Sequence, residues 1–126
     1  MTSRERVLAA INHREADRVP FDLGGMAQSG INKAAYIRLR KYLGLPEIEP
    51  RLQNVITEIV DVDDDVAQRL GVDTYIVYGQ WANDKLVNLK EEGDYVAYTD
   101  EWGIGRRKPK SGGLYYDVYT HPFNAD

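Results

Sequence analysis

With 126 residues and 14.3 kDa, the chain is long enough for one domain with a real core, and too short for a closed (β/α)8 barrel of about 250 residues. Its 43% hydrophobic and 29% charged residues exclude a disordered chain, and the lack of cysteine excludes disulfides, thiolate zinc sites and cysteine nucleophiles. The formal charge of −4 argues against a nucleic-acid partner, and it is unevenly spread: residues 1–45 are net +4, residues 46–105 net −10 and residues 106–126 net +2.

The first element is a helix. Thr2 and Glu5 have capping-box spacing, Val7, Leu8 and Ile11 share a face, and Asn12-His13 ends it. In Arg18–Gly25 the alternation of Val19, Phe21 and Leu23 predicts a strand, with Pro20 near its start and Gly24-Gly25 stopping it. A second helix begins between Ser29 and Asn32 and runs to Leu43, closed by Gly44. Residues 51–60 read as strand or irregular, because Val55-Ile56-Thr57 is β-branched. Asp61–Gly71 is a short helix with acids in its first turn. Val72–Tyr78 is nearly continuous in apolar and aromatic residues, the pattern of a strand buried on both faces of a parallel sheet.

From Lys85 onward the chain alternates and is broken by turns, and seven of its nine tyrosines lie after position 74. That is an antiparallel β excursion held by cross-strand aromatics. The expected organisation is residues 1–82 as the first βα units of an α/β fold and residues 83–126 as the antiparallel excursion and tail. No stretch approaches the ~20 apolar residues of a membrane span, and Met1–Arg6 runs into charge where a signal peptide would turn apolar. A cytoplasmic protein with no membrane partner is expected.

The motifs are few. Asp61–Asp65 resembles the start of a calcium loop, but Val66 and Val72 stand where glycine and glutamate are required. His13 and His121 have no partner at ligand spacing. Phe21-Asp-Leu-Gly-Gly25 places an acid just before glycines at a strand end, suited either to presenting Asp22 to a ligand or to capping a turn. Asp100-Glu-Trp-Gly-Ile-Gly105 offers Trp102 either to packing or to a substrate. The run Arg106, Arg107, Lys108 and Lys110 reads as a solvated hairpin tip.

Ser3–Gly25, "SRERVLAAINHREADRVPFDLGG", resembles the amino-terminal signature of the uroporphyrinogen decarboxylase superfamily, and "VDDDVAQRLGVD" at 62–73 and "DEWG" at 100–103 are similar to later landmarks in the same order. The nearer likeness is to the bacterial branch related to corrinoid-linked methyltransferases and demethylases. The resemblance implies α/β architecture, the amino-terminal part of a (β/α)8 barrel, with this chain roughly its first third. It implies an enzyme whose substrate is lined here by Asp22, Gly24, Gly25, Tyr78, Gln80 and Trp102, the catalytic groups not being readable and this chain alone not turning over.

The likeness has gaps. True uroporphyrinogen decarboxylases follow the first strand with an arginine-rich motif, where this chain has Gly24-Gly-Met-Ala-Gln28, and they place an aspartate where this chain has Gly79 or Gln80. A substrate with eight carboxylates needs cationic partners. The implied parent is therefore a methyltransferase or demethylase working with a corrinoid or related carrier. A genuine porphyrin-pathway decarboxylase and a non-catalytic binding or oligomerisation module are the alternatives. The implied partners are a small-molecule substrate or a corrinoid protein, and a further copy of the chain through exposed sheet edges. No metal or cofactor is expected in this chain, zinc and a corrinoid belonging to a longer parent.

Overall fold

A computed structural model describes residues 1–78 and 88–123. The chain divides into two compact units, Met1–Gln53 with Ile59–Gly79, and Asn54–Glu58 with Gln80–Asp126.

In the first unit, α1 spans Ser3–Ile11. Its capping box forms as the sequence predicts: Thr2 Oγ1 accepts from the Glu5 amide at 3.2 Å, and Glu5 Oε2 accepts from the Thr2 amide at 2.8 Å. The helix ends with His13 at φ 52, where the amides of His13 and Arg14 donate back to the carbonyls of Ala10 and Ala9. Strand β1 is Ile31–Asn32 and α2 is Lys33–Tyr42, the Asn32 side chain accepting from the Ala34 amide at 3.0 Å. The ambiguous stretch is a hairpin: strands β2, Leu52–Asn54, and β3, Ile59–Val60, flank a turn made by the β-branched Val55-Ile56-Thr57 and Glu58, the last at φ 53. Helix α3 is Asp64–Leu70, closed by Gly71 in the left-handed region. The three strands form one sheet in the order β1-β3-β2, with Ile31 opposite Val60 in antiparallel register. Its core is Tyr36, Val60 and Val66, all fully buried, with Leu39, Leu52, Val62 and Leu70 packed around them.

The barrel expectation is overturned. The described chain has three helices and two small antiparallel sheets, not the parallel strands of an α/β barrel. Neither Val19–Leu23 nor Val72–Tyr78 is a strand. Side chains have taken the backbone groups that a ladder would use. The Phe21 amide donates to the Asp73 carboxylate at 2.9 Å, Arg18 takes the carbonyls of Val19 and Gly71, and Pro20 has no N–H to give. The two segments do share a backbone bond, Asp73 N–H to Phe21 O at 2.8 Å. Exposure agrees: Val19 is 84% and Val77 92% exposed, so Val72–Tyr78 is not covered on both faces.

In the second unit, β4 (Lys90–Glu92), β5 (Tyr95–Thr99), β6 (Gly105–Pro109) and β7 (Asp117–Thr120) form one antiparallel sheet in sequence order. This is the expected tyrosine-rich excursion. Tyr98 and Tyr116 are buried edge to face, 5.2 Å between centroids. Of the basic run only Lys110 lies at an exposed turn; the other three are strand residues. Arg106–Lys108 lie within β6, and the Arg107 guanidinium stands 4.4 Å from the ring centre of Tyr95 and 4.9 Å from that of Tyr119. Asn54–Glu58, the tip of the β2–β3 hairpin, belongs to this unit. Ile56 O accepts from the Tyr116 amide at 2.9 Å, and Glu58 pairs with Lys108 at 2.6 Å.

Candidate functional site

The site in the first unit is built outward from one acid. Asp73, its side chain fully buried, pairs with Arg6 and Arg18, each at 2.6 Å. Arg6 also grips Asp17 at 2.6 Å. The amide of Phe21 is the main influence holding the Asp73 carboxyl well below the usual range, helped by Ser3, Arg18 and Arg6 against the cost of burial. This network ties Phe21 to Asp73, and so places the residues next to them, Asp22 and Thr74, side by side.

Asp22 and Thr74 are joined directly. The Thr74 hydroxyl donates to Asp22 Oδ1, which also accepts from the Gly25 amide at 2.9 Å. Burial would raise the Asp22 carboxyl, but hydrogen bonds from Ser29, Thr74 and Gly25 outweigh it and lower it. Asp22 therefore organises a turn, the blander of its two sequence readings. A side chain at Gly25 would run into the Asp22 carboxylate and come within 2.9 Å of Thr74 Oγ1, while Gly24 holds φ +81 against Val62. Gly25→Ala should accordingly destabilise the first unit by about 1–3 kcal/mol through overpacking, read as a shift in urea midpoint. An unchanged midpoint would mean that the turn is open.

Beside this turn lies a cavity of about 180 Å³. Leu23, Val62, Ala67 and Ile76 give it apolar walls, and Gly24 and Tyr75 complete them. Asp61 and Thr74 are polar residues of its lining. Tyr78 donates its hydroxyl to Asp61 Oδ1. Arg51 stands 3.6 Å from Asp61 Oδ2, with its guanidinium 5.6 Å from the centre of the Tyr78 ring. Burial raises the Asp61 carboxyl, with Arg51 opposing and Asp63 adding to the shift. The two carboxylates of this region are thus pushed in opposite directions. Nearby, Gln53 donates to Gly24 O at 3.3 Å and keeps its own side-chain oxygen buried with no donor among the described residues.

Of the six residues read as substrate-lining, Gly24 lines the cavity, Tyr78 touches it through Asp61, and Asp22 and Gly25 shape the turn beside it. Trp102 lies in the second unit, 75% exposed on the β5–β6 turn, where Asp100 takes the amides of Trp102 and Ile104 at 3.0 Å each. Gln80 lies outside the described residues. Sequence reasoning missed Asp61 and Thr74. In sequence Asp61 is part of an acidic helix start and of a failed calcium-loop pattern; its distinguishing signal is its position directly after the apolar pair Ile59-Val60 and before the N-cap at Asp63.

Among the described residues no group of three or more His, Asp or Glu is placed to hold a metal ion, and no helix is long and apolar enough to cross a membrane. Comparison with protein-family models, with curated proteins and with solved structures finds no match to this chain.

Proposed function

We propose that the chain serves in a methyl-transfer enzyme of the uroporphyrinogen decarboxylase superfamily, one that works with a corrinoid or related carrier, and that its own part is to bind a small molecule and not to supply the reacting groups. The observation that carries this is the charge of the cavity. Among the described residues its lining holds one carboxylate, Asp61, and no basic side chain, the nearby Arg51 reaching Asp61 with a largely exposed side chain. A polycarboxylate such as uroporphyrinogen would meet repulsion there. The reading is further supported by the two sequence blocks that carry the resemblance. They join through Asp73, which lies in the second and is gripped by Arg6 and Arg18 of the first.

Size limits what the cavity can take. Pockets for drug-sized ligands run to about 300–1,000 Å³, so at about 180 Å³ a corrin ring does not enter. A corrinoid carrier would meet this chain at its surface, and the residues described here do not fit the ring itself.

The test is titration of the isotopically labelled chain with cobalamin and with uroporphyrin, following backbone amide shifts. Cobalamin should move the surface amides around the exposed Tyr75 and Val77 without entering the cavity, and uroporphyrin should leave them in place. A saturable response to uroporphyrin at those residues, or silence with cobalamin, would overturn the methyl-transfer reading.

A further inference from the structure

We infer that the cavity beside Asp61 is a binding site for a small organic ammonium: a compact apolar body of about six heavy atoms carrying one protonated amine. The inference rests on the cavity being a small-molecule site, as proposed above, and not on the family or on methyl transfer.

The shape sets the body. A cavity of about 150 Å³ lined by aliphatic and aromatic side chains accepts a benzene-sized guest, and this one measures about 180 Å³ with Leu23, Val62, Ala67 and Ile76 as walls. The polar groups set the head. Thr74 has already committed its proton to Asp22, so toward the cavity its oxygen can only accept. Asp61 Oδ1 receives the Tyr78 hydroxyl, and a carboxylate has lone pairs to spare beyond that bond. A ligand that satisfies both oxygens must donate, and the uncompensated share of charge on Asp61 favours a donor that is positive.

The nearest competing cation is Arg51. It stands 3.6 Å from Asp61 with its side chain 74% exposed, so water screens the pairing and leaves it loose. An ammonium in the cavity would reach the same carboxylate between apolar walls, which keep away part of the screening water and strengthen the attraction. Asp63, the other acid acting on Asp61, is engaged by Tyr36 at 2.6 Å and Arg40 at 3.2 Å, so it adds field but offers no second head-group partner.

The experiment is titration of the full chain with cyclopentylammonium and, separately, with cyclopentanol, its neutral counterpart of equal size, followed by amide shifts. Cyclopentylammonium should saturate shifts at Val62, Thr74 and Ile76, and cyclopentanol should bind at least about tenfold more weakly. Asp61→Asn keeps an acceptor for Tyr78 and should lose about tenfold in amine affinity. Arg51→Ala removes the competitor and should tighten amine binding about two- to fivefold, a gain that a purely structural Asp61 would not give. Equal binding of the alcohol, no saturation at millimolar amine, or an Arg51→Ala variant that binds the amine no better would each overturn the inference. Amine binding without any response to cobalamin would sustain it while removing the methyl-transfer reading.

Discussion

Replacing Asp73 with alanine is expected to lower the thermal unfolding midpoint by about 10 °C or more, the largest loss among substitutions outside the apolar core. The carboxylate is the meeting point of Arg6, Arg18 and the Phe21 amide. Removing it leaves Arg6, only 7% exposed, with Asp17 as its remaining acidic partner, and it frees a backbone amide that has no strand to pair with. Circular dichroism on heating reads the effect. A change of only a degree or two would mean that the network is not what joins the two extended segments.

The same acids govern pH dependence. Asp73 and Asp17 are both held below the ordinary carboxylate range, Asp73 first by the Phe21 amide and Asp17 first by its hydrogen bonds with Arg6. A carboxyl whose folded value lies below its unfolded one, about 3.9, contributes stability that is present above the unfolded value and lost as pH falls through the folded one. The midpoint should therefore hold from neutrality to about pH 5 and fall steeply below about pH 4. Asp73→Asn should flatten that acid limb. An equally steep limb in the variant would assign the acid sensitivity elsewhere.

Replacing Tyr36 with alanine should cost about 3–5 kcal/mol, the range for emptying a large aromatic position in a core. Tyr36 is fully buried with Val60 and Val66. Its hydroxyl donates to Asp63 Oδ2 at 2.6 Å and accepts from the Asp63 amide at 2.9 Å, so one ring ties α2 to the start of α3. Tyr36→Phe isolates the hydroxyl and should cost about 1–2 kcal/mol. Urea unfolding of the two variants separates packing from hydrogen bonding. If phenylalanine cost as much as alanine, the hydroxyl and not the ring would be holding this core.

What could be read from the sequence was local. Thr2 with Glu5, Asn32 before an apolar-faced stretch, and the glycines at 44 and 71 each mark a helix end within a few residues, and all three helices form there. The tyrosine-rich turns likewise announce the antiparallel sheet. The extended segments misled because apolar alternation reports only which residues favour extended chain, not whether a neighbour supplies a ladder. At Phe21 the decisive partner is a carboxylate 52 residues away. The uneven charge was a visible clue to it. The basic first 45 residues and the acidic stretch after them satisfy one another: Arg6 and Arg18 with Asp73, and Arg40 with Asp63 and Asp65. Asp61 escaped notice for a related reason, since one acid among four looks the same in sequence whether it caps a helix or lines a cavity.

The assignment of Asn54–Glu58 to the second unit has a topological consequence. The polypeptide enters that unit, leaves it for β3, α3 and the segment beyond, and returns to it later, so the two units alternate along the sequence. No single scission separates them into whole halves. A carboxy-terminal piece prepared alone would lack Glu58, the acid that Lys108 reaches, and the Ile56 carbonyl that receives the Tyr116 amide.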